Sequence, residues 1–460
     1  MKTILSFVKN SATYIAGSVL SRAIGFLMLP ILTAYIPPRQ MGYYDLSIVY
    51  VTLAYEFLFM NIWVVVLRYM HDGEGEGRGR ALAPGLLVFI GSATLYLATA
   101  GMVALIFAPD YLWLIAGYGL CVSLSYLTGY FARGVGRNAD FAMSGIINAV
   151  VTAGLNLWLL VGAGFDVSAL YVAGIVGYLV QSLYLEVRVG VIRRLKRDWF
   201  KAVDRTSFIG MLRYALPIGF TALVYWFINS FNRLVINDVL TLEENGIFAV
   251  AARWGSLLAI ILTAMSFAWQ DIAFRRGEDG RFFGRAATLY ISALALAVSA
   301  LLPAVKLVFP WFVNANYYAA LPIVPTTLFV AALSGHFNFV VSIFYAAKSS
   351  RNVLYGALAA AVINVAFTFP LVSLWGLQGA NVATMCAFLV GIVTLQLILR
   401  RRIALRFDYL RALLSFVVPA ISAFIFWNGG IGVNLTWLLG LLVVGSTGAT
   451  WWFRRERRRV

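Results

Sequence analysis

The sequence predicts an all-α integral membrane protein with fourteen transmembrane helices, and three observations predict it. Of 460 residues, 62% are hydrophobic and only 12% charged, a balance that a water-soluble chain of this size does not show. Apolar stretches of about 20 residues, the length that crosses a hydrocarbon core, recur along nearly the whole chain with short connections. All but five of the 36 Lys and Arg residues fall in alternate connections, and the positive-inside rule places those connections in the cytoplasm.

The spans are expected at 11–36, 46–68, 81–107, 112–132, 141–163, 168–190, 214–238, 247–272, 287–309, 321–346, 353–373, 379–399, 410–428 and 434–452. Odd spans run outward and even ones inward, so both termini are cytoplasmic. Each inside loop is marked by its cations: Arg68 to Arg80, Arg133 to Asp140, Arg188 to Arg213, Phe274 to Arg285, Lys348 to Asn352, Arg400 to Asp408 and the tail from Phe453. The outside turns, such as Pro37 to Tyr44 and Thr241 to Gly246, are short and carry few charges or acidic ones. The first apolar run has no small-residue cleavage pattern and is read as a retained span.

These observations leave no room for a large soluble domain. Cys121 and Cys386 both lie in apolar stretches far apart in sequence and read as packing residues, with no disulfide framework. The net charge of +17 follows membrane topology, so nucleic acid is not an expected partner. Gly73 to Arg80 alternates Gly with charge and reads as a flexible linker, since no strand precedes it to build a phosphate cradle. The basic stretch Val191 to Lys201, with Trp199 and Phe200, is expected to lie as an interfacial helix on anionic membrane lipids.

Two halves are visible around that stretch. Phe131-Ala132 with Arg137-Asn138 recurs as Tyr345-Ala346 with Arg351-Asn352, and Gly42-Tyr43-Tyr44 recurs as Gly246-Ile247-Phe248. Both copies keep the same direction through the membrane, so helices 1 to 6 pair with 7 to 12 in a parallel pseudo-twofold repeat, a transporter design. The expected organisation is an N-lobe at 1–190, a basic cytoplasmic linker at 191–213, a C-lobe at 214–409, and two further helices with a basic tail at 410–460.

Function is sought in the charges left inside the spans. Arg22, Arg233 and Arg253 each cost several kcal/mol in hydrocarbon and so face a partner or a wet cavity. Facing one cleft, they would select an anion, and guanidinium groups bind phosphate oxygens in pairs. Each could equally be a structural pair or a cap on carbonyls; Arg233 has Asn229, Asn232 and Asp238 close by in sequence. Glu56 is the one carboxylate near the middle of a span. It either exchanges a proton in ion-coupled transport or pairs with Arg22. Asp45 and Asp271 lie near span ends. Asn61, Asn148, Asn156, Gln181, Gln270, Asn338 and Asn364 contact sugar hydroxyls or bond helix to helix. His336 and His71 cannot build a metal cluster. Pro30 is expected to interrupt the first helix and Pro217 to open the seventh. No catalytic constellation is present, so no enzyme activity and no cofactor are expected.

At this point the chain resembles the polysaccharide-transport branch of the MOP (multidrug, oligosaccharidyl-lipid, polysaccharide) exporter superfamily, the Wzx-type lipid-linked oligosaccharide flippases. The resemblance rests on Ser21-Arg22-Ala23-Ile24-Gly25-Phe26 through Leu29-Pro30 to Thr33, on Gly42-Tyr43-Tyr44-Asp45-Leu46, on Gly246 to Ala251 with Ala268-Trp269-Gln270, and on Tyr317-Tyr318, Val324-Pro325, Lys348 and Gly376 to Ala380. It implies the MATE-like MOP fold in a bacterial cytoplasmic membrane. It also implies a monomer that moves a polyprenyl-pyrophosphate-linked oligosaccharide, alongside a glycan polymerase and export machinery. Carried over by position, Arg22, Arg233 and Arg253 would hold the pyrophosphate. From the residues themselves Asn229 and Gln270 are further substrate-binding candidates, and Glu56 and Asp271 are the candidates for ion coupling. The sequence departs from the family where its preceding Asp is Asn232, where Trp-Gln-Pro is Trp269-Gln270-Asp271, and at Ala34-Tyr35-Ile36-Pro37. A peptidoglycan-precursor flippase and a drug exporter are alternatives on the same fold. A membrane glycan polymerase or transferase is the alternative from another class.

Overall fold

A computed structural model describes residues 19–72, 82–201, 203–276, 280–346, 349–403 and 407–443. Its regular elements are helices, and no strand occurs among the described residues. Among the described residues ten helices are long and apolar enough to cross a membrane, eleven if one bent pair is counted as a span. The protein is therefore a multi-pass membrane protein. Two compact units divide the chain, residues 1–246 and residues 247–460.

Unit 1 comprises α1 (Val19–Tyr35), α2 (Pro38–Phe59), α3 (Ile62–Asp72), α4 (Leu82–Phe107), α5 (Leu112–Gly134), α6 (Asn138–Leu157), α7 (Ser168–Val189), α8 (Arg205–Asn229), α9 (Phe231–Val239) and the first turn of α10 (Leu242–Arg276). Pro38 starts α2 at a position where its missing N–H is not needed. α2 and α3 form one span bent by 46°. The bend sits at Met60 and Asn61, whose φ angles of 49° and 52° lie in the left-handed region and end the helical ladder. Ser92 of α4 donates 2.8 Å to the carbonyl of Leu58 just before the break, so a carbonyl beside it is satisfied by a neighbouring helix. α6 ends in a π turn, Trp158–Gly162.

Glycines set how closely the helices of this unit approach. A Cβ on Gly174 of α7 would strike the Tyr118 ring, and one on Gly177 would strike Thr152 and Asn148, so α5 and α6 lie hard against α7, as small residues permit in membrane bundles. Gly42 and Gly246 meet backbone to backbone. A Cβ on Gly42 would overlap the Leu242 carbonyl, one on Gly246 would overlap that of Pro38, and Asn245 Nδ2 donates 3.1 Å to the Gly42 carbonyl. The two glycines at equivalent places of the repeated motif thus touch each other.

Unit 2 holds the remainder of α10, α11 (Gly280–Phe312), a 3-10 segment (Ala315–Ile323), α12 (Val324–Ala346), α13 (Ser350–Ile403), α14 (Tyr409–Ser415), α15 (Val417–Asn428) and α16 (Ile431–Val443). α13 is a hairpin. Gly376 leaves helical geometry with φ 56°, Gly356 packs on Leu395, Gly391 packs on Ala360, and Thr384 donates to Asn364 at 3.4 Å. These pairs close toward Gly376, as two antiparallel legs require.

Two expectations change and one is refined. The spans expected at 353–373 and 379–399 stand as the two legs of the α13 hairpin, which turn at Gly376. Pro217 lies inside α8, which starts at Arg205. The stretch from Val191 is not one interfacial helix: turns lead to a five-residue helix, Arg197–Lys201. The reason is local. Gly190 at φ 71° stops α7, and Glu186 accepts the N–H groups of Ile192 and Arg193 at 2.7 and 3.1 Å, which folds the chain back and buries Trp199.

Candidate functional site

The intramembrane charges have unlike surroundings. Arg233, on the short helix α9, is held from α2: its Nε donates to Asp45 at 2.8 Å, and its other guanidinium contacts go to the Asn229 carbonyl at 3.0 Å and Asn232 Oδ1 at 3.4 Å. Its carboxylate partner is Asp45, 188 residues away, and Asp238 nearby in sequence is exposed. Asn229 turns its amide onto its own helix, donating to the Tyr225 carbonyl at 2.8 Å.

Arg22 on α1 is exposed and Arg253 on α10 is half-buried. Neither has an ion-pair partner among the described residues. Arg253 lies within electrostatic reach of the Tyr317 hydroxyl, itself fully buried. Arg22 and Arg233 belong to unit 1 and Arg253 to unit 2.

Glu56 is not paired with Arg22. It stands one turn before the break in the α2–α3 span, and Asn61, in left-handed conformation within the break, donates 2.5 Å to its carboxylate. Asn tolerates that backbone geometry better than most residues, so local chain shape and the contact to Glu56 agree. Gln270 and Asp271 have side chains outside the described residues, as do the side chain of His71, Lys348 and the Gly73 to Arg80 loop.

The polar interior of unit 1 bonds one pair of the amides read from the sequence and adds clusters at both ends that the sequence did not single out. Asn148 donates to Gln181 at 2.7 Å. Asp140 accepts from Arg137 at 2.5 Å, Arg188 at 3.2 Å and Tyr184 at 3.3 Å. At the other end Tyr111 donates to Asp166. That bond, the larger cause, with burial, pushes the Tyr111 phenol up to about 12. For Asp166 burial works upward, but bonds from Ser168 and Tyr111 outweigh it and hold the carboxyl below its ordinary value. In unit 2 His336 is buried among Tyr290, Phe339 and Phe407. No group of three or more metal-ligating side chains occurs among the described residues.

A bundle of this order and length defines the class, a polytopic helical membrane protein. The solved structures it matches give the particulars. A structure described as the lipid II flippase MurJ in an inward closed conformation superposes with a TM-score of 0.74 at 14% identity, covering 96% of this chain and 99% of that one. An inward-facing MATE-family multidrug resistance transporter of the MOP superfamily gives 0.65 at 15% identity, covering 84% and 95%. An outward-facing one gives 0.59 at 15%, covering 86% and 95%. At these identities the likeness is one of fold, which by itself does not name a substrate. No family model matches the chain, and no curated protein matches it in sequence.

Proposed function

We propose that the protein is a flippase. It carries a polyprenyl-pyrophosphate-linked oligosaccharide, such as a repeat unit of O-antigen, capsule or exopolysaccharide, from the cytoplasmic to the outer leaflet by alternating access coupled to an ion. One observation carries this reading: Arg22 and Arg253 sit in apolar helices without a carboxylate partner among the described residues, on a fold shared along nearly the full chain with a lipid II flippase. A guanidinium kept in a span without a counter-charge suits a ligand that brings its own negative charge, and pyrophosphate offers the oxygens it binds best. Arg233, already engaged with Asp45, serves the headgroup from a fixed position. Asn229 and Gln270 supply sugar contacts, and Glu56 and Asp271 couple the ion.

In vesicles reconstituted with the full chain and a pyrophosphate-linked oligosaccharide, Arg22→Gln or Arg253→Gln lowers translocation by about ten-fold or more, the scale of one lost charge-assisted contact. Undiminished translocation in both variants sinks the charge assignment. The MATE likeness favours a second reading, export of a small molecule. Efflux of cationic drugs that survives Arg22→Gln, with no flipping of the lipid-linked sugar, would select it.

A further inference from the structure

Three helices of unit 1 contribute tyrosines to one seam. Tyr111, Tyr118 and Tyr126 recur at seven and eight residues through the head and body of α5, and Tyr171 and Tyr178 at seven along α7, so each set occupies one helix face. Tyr44 and Tyr55 of α2 lie three helical turns apart and meet both sets. From Glu56 outward the contacts run in order. The rings of Tyr55 and Tyr126 pack edge to face 5.9 Å apart, and both phenols lie within electrostatic reach of the Glu56 carboxylate. Tyr178 faces Tyr118 with rings 5.7 Å apart, and Tyr118 faces Tyr44. Tyr44 packs on Tyr171 at 5.2 Å, and the Tyr171 hydroxyl bonds Ser47 at 2.7 Å. Tyr171 packs in turn on Tyr111 at 6.3 Å, whose hydroxyl holds Asp166, while Tyr43 bonds the Asp110 carbonyl at 2.5 Å.

The seam thus joins the carboxylate beside the helix break to the Asp166 carboxylate at the end of the unit assigned to the outside, over about 20 Å of α5 at 1.5 Å per residue. Packing alone would be met by Phe; here each ring along the line carries a hydroxyl. Gly174 has no side chain where one would strike the Tyr118 ring, so α7 makes room for a phenol at the seam's midpoint. Trp63, 2% exposed, covers the rings of Tyr55 and Tyr126. The titratable groups facing Glu56 are Tyr55 on its own helix and Tyr126 from α5, with Ser92 and Tyr96 of α4 packed beside the residues that follow it.

We propose that this tyrosine seam is the outward proton path of Glu56. The inference rests on the reading of Glu56 as the coupling residue. A phenol hydroxyl both donates and accepts. A proton entering beside Asp166 and Tyr111 is taken by one phenol oxygen as that phenol's own proton passes to the next. The last proton forms the O–H of the Glu56 carboxylic acid, and each hydroxyl then turns back. Between Tyr126 and Tyr178, between Tyr44 and Tyr171, and between Tyr171 and Tyr111, the hydroxyls are neighbours without a direct bond, and a rotated hydroxyl or one water bridges each interval as well as the last step onto Glu56.

The test uses the full chain in vesicles that trap a pH-sensitive dye, with an imposed pH gradient and the pyrophosphate-linked oligosaccharide present. The wild-type protein admits protons and Glu56→Gln does not. Tyr118→Phe and Tyr126→Phe keep their rings but slow proton entry by about ten-fold or more, the lower range of lost acid–base relays. Tyr69→Phe, whose ring packs on Tyr214 away from the seam, runs at the wild-type rate. A solvent deuterium effect on proton entry, largest in the wild type, and unchanged thermal midpoints separate relay from packing. If Tyr118→Phe fails to fold, Tyr126→Phe decides. Wild-type proton entry in the Phe variants overturns the seam while leaving Glu56 as the coupling residue; absence of proton entry in the wild type overturns both.

Discussion

Unit 1 gathers acidic groups into bonded clusters in its interior, whereas among the described residues of unit 2 most buried side-chain bonds join amides and hydroxyls that do not change charge. In unit 1 Glu56 sits beside Asn61, Arg233 is locked to Asp45, and Asp140 collects two arginines and a tyrosine. In unit 2 the buried polar contacts are Asn381 with Thr326 and Thr327 at 2.9 and 3.1 Å, and Thr384 with Asn364. Beside them stand aromatic stacks, Trp269 on Phe339 at 4.2 Å and Tyr290 on Phe339 at 4.3 Å. Amide and hydroxyl bonds hold helices together at any pH; ionisable groups also respond to protons and anions. The difference concentrates acidic clusters in unit 1 and aromatic and amide packing in unit 2, where Arg253 is half-buried.

The contrast can be broken or sharpened in order of expected effect. Gly42→Val drives a branched side chain into the Leu242 carbonyl and the Gly246 amide, where only backbone movement relieves the clash. Loss of a monodisperse folded species on size-exclusion chromatography is expected, and a normal elution profile would show the contact to be yielding. Asp45→Asn leaves the Arg233 guanidinium, whose side chain is 18% exposed, without its carboxylate. Because the pair is only partly buried, the cost is roughly 2 kcal/mol, below the full cost of orphaning a buried charge. It is read as a lowered thermal midpoint that Asp45→Glu partly restores. His336→Leu in unit 2 acts in the opposite sense. The ring is 1% exposed, and neither nitrogen has a partner among the described residues, so removing the polar atoms leaves stability unchanged or raises it by up to about 1 kcal/mol. A clear loss of thermal stability would instead mean that His336 holds a polar partner and that unit 2 is less inert than drawn.

Much of this architecture could be read in advance because hydrocarbon allows few solutions. Runs of apolar residues bounded by Arg68, Arg133 or Arg400 have to be helices, and Gly42 and Gly246 carried their equivalence in plain motif. What escaped reading depended on contacts between distant residues. Asp45 was placed at a span end, yet nothing in its neighbours announces Arg233 on α9. The break at Met60 and Asn61 has no Pro or Gly to betray it. The tyrosines were visible one by one, but their alignment needs the register of α2, α5 and α7 together. A usable signal was the seven-residue recurrence of Tyr on two successive spans.

The break in the second span has an electrostatic side. A helix carries about half a unit of negative charge at its C-terminal end and half a positive one at its N-terminal end. α2 stops and α3 restarts within two residues, so opposite poles meet at one depth beside Glu56, turned by 46°. Any charge formed on that carboxylate therefore resides at a dipolar junction built from main chain, a patch of polar solvent that the protein makes out of its own backbone.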